Sequence, residues 1–194
     1  TSLLLLICIA TPSIAEAKRS YFDARQVHSS DLKPFPKWTG VLARYFDETK
    51  LARGSCVSRK FNVCHLKEWE SFLNTVRGHS LNEQVHAVNR FHNRTQYILD
   101  PVNWGKPDYW ATPREFSRRN GDCEDYAIAK YISLRALGVP DSKMRIVIVQ
   151  DFNLGGIIHG ILLVKLDGKE VILDNQVQQA VSYTHLTLPT SFLV

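Results

Sequence analysis

Cys123 lies among acids in the run Asn120-Gly121-Asp122-Cys123-Glu124-Asp125-Tyr126, and a cysteine so placed can serve as a nucleophile. Gly121 supplies a turn that bends freely. Asp122 suits a helix N-cap, with Asp125 at the reciprocal third position. Beyond it, Ala127, Ile128, Tyr131, Ile132 and Leu137 recur at helical spacing, until Gly138-Val139-Pro140 ends the pattern. The spacing therefore predicts a helix that opens at Cys123. In its first turn, free backbone N–H groups and the positive end of the dipole favour a thiolate. The same N–H groups can hold a developing oxyanion. A small buried thiol at a helix start is the alternative that this motif alone leaves open.

Thiol chemistry needs a base and a group that orients it. The apolar run Ile157 to Val164 reads as a buried strand carrying one histidine, His159. Asp167-Gly168 is a two-residue hairpin signal, and Lys169 to Leu173 reads as the return strand. With Leu166 opposite Lys169, Asp174 falls opposite Ile161, which shares a strand face with His159. His159 and Asp174 are then diagonal neighbours. A three-residue loop would reverse that parity. Cys123, His159 and Asp174 are thus the candidate catalytic residues.

Asp122, Glu124 and Asp125 crowd the same helix start. Capping and dipole pairing account for one or two such acids. All of them beside a nucleophile oppose its ionisation, because neighbouring negative charge raises a thiol pKa. A bound cation would relieve the conflict, and an all-oxygen ligand set suits calcium better than zinc. Capping alone remains the competing account.

The stretch Asp108-Tyr109-Trp110-Ala111-Thr112-Pro113-Arg114-Glu115-Phe116, followed by Gly121 to Tyr131, resembles the bacterial transglutaminase-like cysteine proteases. Within that family it is most similar to the periplasmic members that release surface adhesins. The resemblance covers roughly residues 60 to 179, and His159 and Leu173-Asp174-Asn175 fall where the family places its His and Asp. It implies an α+β fold with a papain-like, transglutaminase-like core: a helical N-terminal part with the nucleophile at a helix start, packed on an antiparallel sheet. It also implies a Cys-His-Asp triad and calcium held by Asp122, Glu124 and Asp125. Trp110 would line the substrate groove. The implied substrate is a large surface adhesin, cleaved in its N-terminal region to control biofilm attachment. The implied partner is an inner-membrane regulator that responds to cyclic-di-GMP and sequesters the protease. Acyl transfer to an amine by the same triad, or a catalytically silent regulator-binding module, are the competing functions.

The elements that must position these groups follow from the remaining pattern. Val41 to Leu51 and Leu66 to Arg77 carry helical spacing, with Pro34 and Pro36 in an irregular entry. Ser80-Leu81-Asn82-Glu83 and Thr112-Pro113-Arg114-Glu115 are capping boxes. Tyr97 to Tyr109 reads as a loop, His86 and His92 as surface histidines, and Arg145 to Val149 as a buried strand.

At 194 residues the chain is expected to form one domain, residues 18–180, with a buried core. Residues 1–17 read as part of a signal peptide, with an apolar Leu3 to Ala10 and a cleavage pattern at Ala15-Glu16-Ala17. That run is too short for a membrane span. A periplasmic location is therefore expected. Residues 181–194 are uncharged, unlike the family, and read as a non-native tail. The mature chain would keep Cys56, Cys64 and Cys123, an odd number. Cys56 and Cys64 could close a short disulfide loop and leave Cys123 free; all three reduced is the alternative. The net charge of +5 is spread along the chain without a binding motif or interleaved aromatics, which argues against a nucleic-acid partner.

Overall fold

A computed structural model describes residues 31–50, 64–151, 155–182 and 191–193. The expected signal peptide and Cys56 lie outside these residues, as does the side chain of Cys64, so the disulfide falls outside them too.

Among the described residues, six α-helices precede the main sheet: α1 (Pro36–Lys50), α2 (Cys64–Val76), α3 (Leu81–His92), α4 (Asp100–Asn103), α5 (Pro113–Arg119) and α6 (Cys123–Ala136). Of the two prolines expected to mark an irregular entry, Pro34 lies in a turn and Pro36 instead opens α1, because the first helical residue needs no N–H. Likewise the expected loop at 97–109 contains one helical turn, α4, with Pro101 in its first turn. Both capping boxes form. Glu83 N–H reaches Ser80 Oγ at 3.4 Å and Ser80 N–H reaches Glu83 Oε2 at 2.9 Å. The corresponding bonds between Thr112 and Glu115 are 3.2 and 2.8 Å.

The strands are β1 (Met144–Asp151), β2 (Ile157–Leu166), β3 (Lys169–Leu173), β4 (Val181–Ser182) and β5 (Ser191–Leu193), in the antiparallel order β4-β3-β2-β1-β5. Leu166 pairs with Lys169 and Leu162 with Leu173, the register expected from a two-residue turn. Asp167 and Gly168 both have positive φ, 46° and 77°, which matches the right-handed twist of the flanking strands. The short segments within 181–194 add β4 to one edge of the sheet and β5 to the other.

One layer of core lies between helices and sheet. There Ile128, Ile132, Trp69, Val85 and Val88 meet Ile146, Leu162, Val164 and Leu173. Val147, Val149, Ile161, Leu163 and Ile172 form a second cluster from alternate strand positions. No helix among the described residues is long and apolar enough to cross a membrane.

Candidate active site

Cys123 opens α6 and is buried, with 8% of its surface exposed. Asp122 holds the N-cap position, and Asp125 Oδ2 accepts from its N–H at 3.3 Å. The turn before the helix is made differently from the expectation. The residue with positive φ is Asn120, at 65°, and not Gly121. Gly121 is required for space: a Cβ there would lie 2.1 Å from Asp125 Oδ2. The turn is pinned to the 97–99 segment, where Ile98 N–H donates to Gly121 O at 2.9 Å.

A second glycine seats the helix on the sheet. A Cβ on Gly160, the residue after His159, would lie 2.9 Å from Glu124 Cα and 3.0 Å from Glu124 N. The first turn of α6 therefore rests directly on β2 beside the histidine. His159 and Asp174 meet as the register requires, with Nε2 and Oδ1 2.9 Å apart and both residues buried. Gln176 N–H also donates to Asp174 Oδ1, at 2.9 Å. The Asp174 carboxyl is held below its usual range; burial alone would raise it, and the bonds from His159 and Gln176 prevail. With Nε2 committed to Asp174, Nδ1 is the ring nitrogen left for a thiol.

The thiol faces an acid and not the histidine. Its S–H donates to Glu124 Oε2 at 3.2 Å, and no Cys123–His159 hydrogen bond forms among the described residues. Burial, then the charge of Glu124, push the thiol pKa well above normal, while the N–H of Gly160 favours the thiolate. The helix start does not by itself ionise Cys123: desolvation and acidic neighbours outweigh the dipole.

The acids gather into a larger cluster than the sequence indicates. Asp122, Glu124 and Asp125 are buried, and so is Asp100 from α4, while Asp108 stands exposed at the rim. Ligand atoms of Asp100, Asp122 and Asp125 lie within 4.8 Å of one another, as do those of Asp100, Asp108 and Glu124. Burial raises all the buried members, Asp100 to about 6, Asp125 to about 8 and Glu124 to about 9. Their mutual charges add to the effect. Asp125 already carries a structural load, because its Oδ1 accepts from Ala111 N–H at 2.6 Å. Asp100 Oδ1 and Asp122 Oδ1, by contrast, are buried without a donor. Buried carboxylate oxygens without donors, in an all-oxygen set of mixed spacing, fit a calcium ion. Asp100 lies 22 residues from Asp122. The bond from Asp100 N–H to Asp122 Oδ2, at 3.3 Å, ties it to the cluster across that separation.

Trp110, expected to line the substrate groove, is 8% exposed and packs in the main core. An indole buries its large surface whenever a core is within reach, and here the core anchors the segment whose next residue, Ala111, holds Asp125. His92 is not a surface histidine: it is 2% exposed, with Nε2 2.8 Å from Ser133 Oγ. That hydroxyl donates to Ala129 O and accepts from Trp69 Nε1, so His92 Nε2 carries the proton.

A cysteine at a helix start, seated on a strand whose histidine pairs with an aspartate, is the framework of a transglutaminase-like cysteine protease. The model of the bacterial transglutaminase-like cysteine proteinase family matches residues 55–188, and the chain belongs to that family. Among solved structures it is similar to LapG from Legionella pneumophila, at 30% identity and a TM-score of 0.58. That match covers 66% of this chain and 74% of that one. It is also similar to calcium-bound LapG of the same organism, at 27% identity and a TM-score of 0.58, covering 77% and 81%. The EGTA-treated form matches at 30% identity. No curated protein sequence matches.

Proposed function

We propose that this protein is a calcium-dependent cysteine endopeptidase in which Cys123 is the nucleophile, His159 the general base and Asp174 the group that orients it. The observation that carries the reading is the 2.9 Å His159–Asp174 bond, one residue from the backbone contact between Gly160 and the start of α6. Asp174 fixes the proton on Nε2, which leaves Nδ1 to take the thiol proton. Cys123 Sγ then attacks the peptide carbonyl, and the backbone N–H groups opening α6 face the developing negative charge. The imidazolium returns its proton to the leaving amine, and water resolves the acyl-enzyme with His159 again as base.

Calcium would be held by Asp100, Asp122 and Glu124, with Asp125 behind them and Asp108 at the rim. When bound it supplies positive charge that offsets the carboxylates. The calcium-bound and EGTA-treated relatives support this reading, as do the donor-free oxygens of Asp100 and Asp122.

The substrate in this reading is the N-terminal region of a large surface adhesin, cut in the periplasm to govern biofilm attachment. A cyclic-di-GMP-responsive inner-membrane regulator would hold the enzyme back. The sequence pattern of residues 1–17 supports the location, and membership of a cysteine proteinase family supports a protein substrate. Incubating the purified protein with an adhesin N-terminal fragment, with calcium, with chelator, and with an added amine, tests the reading. Calcium-dependent cleavage without amine incorporation is expected. An intact fragment in calcium overturns the protease assignment, and amine incorporation in place of cleavage identifies a transferase.

A further inference from the structure

Exposed apolar side chains gather around the thiol. Among the described residues, eight large hydrophobic side chains stand exposed. Five of them, Tyr97, Leu99, Val102, Ile157 and Ile158, lie on two segments that touch the start of α6, and each is between 46% and 79% exposed. The first segment is held by the bond from Ile98 N–H to Gly121 O and by Tyr97, whose ring stacks on Tyr126 with centroids 6.3 Å apart. Leu99 holds the N-cap position of α4, and Val102, three residues on, shares its face of that turn. The second segment opens β2. Ile158 shares a strand face with Gly160, which rests on Glu124, and Ile157 shares one with His159.

The helix puts these segments on opposite sides of the nucleophile. Successive residues of an α-helix are about 100° apart, so Glu124 lies about 100° round from Cys123 in one direction and Tyr126 about 60° in the other. β2 packs against Glu124 and Tyr97 against Tyr126, so Cys123 stands between them. The strand edge beside it is open among the described residues. β1 pairs with β2 from Ile157 to Val164, whereas β3 pairs only from Leu162 to Leu166. Past Leu173 the chain turns to α3 instead, where Asn93 Nδ2 donates to Asp174 O at 2.8 Å and to Val177 O at 2.9 Å. An unpaired strand edge beside exposed aliphatic side chains suits an extended polypeptide, whose backbone pairs with the edge while alternate side chains bury against the walls.

We propose that these residues are the specificity-determining walls of the substrate cleft, Tyr97, Leu99 and Val102 on one side of Cys123 and Ile157 and Ile158 on the other. They select an extended peptide with apolar side chains on both sides of the bond that Cys123 attacks. A charged side chain there would give up its water to face aliphatic carbon, without a partner in return. The catalytic meaning rests on the protease reading, whereas binding of an apolar peptide between the walls can be measured without it.

A tryptic peptide library of a bacterial proteome, incubated with the protein and calcium and read by mass spectrometry, reports the residues beside each cut. Apolar residues are expected within two positions on both sides. Val102→Ser and Ile158→Ser alter surface side chains and should leave the melting temperature unchanged. Each should raise KM for an apolar library peptide about tenfold with kcat unchanged. Phe46→Ser, exposed on α1 outside both walls, should alter neither constant. Cuts without apolar preference, or an unchanged KM in both wall variants, overturn the inference. So does a dimer in sedimentation that the wall variants dissociate, since the occupant is then a second copy. If neither the library nor the adhesin fragment is cut, the protease reading fails, and fluorescence anisotropy with Cys123→Ala decides the cleft by itself. A labelled peptide with valine and leucine at its four central positions should bind, and its serine counterpart should not. Loss of that binding on adding Val102→Ser or Ile158→Ser upholds the walls; equal binding of the two peptides, or none, rejects them.

Discussion

At the scale of single residues, the site is a set of charges kept in tension. Cys123 is protonated against Glu124, and His159 is already committed to Asp174. Replacing Cys123 or His159 with alanine should abolish cleavage and leave the circular dichroism spectrum unchanged; near-native turnover by Cys123→Ala would refute the nucleophile. Asp174→Asn keeps the shape but favours the wrong tautomer, a change worth about 10⁴ in a serine-protease triad. A smaller loss is expected here, because thiols ionise more readily than hydroxyls, and steady-state kinetics would measure it. Asp100 is the residue that only the fold reveals. Its Oδ1 lacks a donor beside Asp122, so Asp100→Asn should weaken calcium binding by at least about tenfold, the effect of roughly 1.4 kcal/mol. Titration calorimetry would show it, and an unchanged affinity would remove Asp100 from the ligand set.

At the scale of elements, two glycines matter because they are small. Gly121 makes room for the Asp125 carboxylate, and Gly160 lets the first turn of α6 lie against β2. Gly160→Ala puts a methyl 2.9 Å from Glu124 Cα, a backbone atom that cannot rotate aside. The helix start must then retreat from the histidine strand. A displacement near 1 Å at a reacting centre costs about 10² in rate. The variant should therefore lose kcat at least that strongly while still folding, as cleavage kinetics and a melting curve would establish. Full activity in Gly160→Ala would show that the contact does not set the Cys123–His159 distance.

For the whole molecule, the acid cluster links stability to pH and calcium. Asp100, Asp125 and Glu124 titrate near 6, 8 and 9 in the folded chain, above their ordinary values because of burial. A raised folded pKa means that the native state holds protons the unfolded chain has released. Stability without calcium should thus fall as pH rises from about 4 towards 9, the window between unfolded and folded values. Calcium bound only to the native state should oppose that fall, flatten the slope and release protons on binding. Melting temperatures from pH 5 to 9, with calcium and with chelator, check this. A melting temperature that does not respond to calcium at pH 8 would reduce the cluster to a capping device.

The division between sequence and fold follows from the range of the interactions. Capping boxes, the Asp167-Gly168 turn and the start of α6 are local, decided by residues within a few positions of one another. The hairpin register is nearly as local, and because strand side chains alternate it was enough to bring His159 to Asp174. What lay beyond reach depended on contacts between distant segments. Asp100 joins the acids, Trp110 turns into the core, and His92 is buried against Ser133 only because α3, α4 and α6 pack around one sheet. Even the state of Cys123 was decided there. Its helix position alone favours a thiolate, but burial against Glu124 outweighs the dipole, since desolvation acts on the whole charge and the helix offers only a fraction of one.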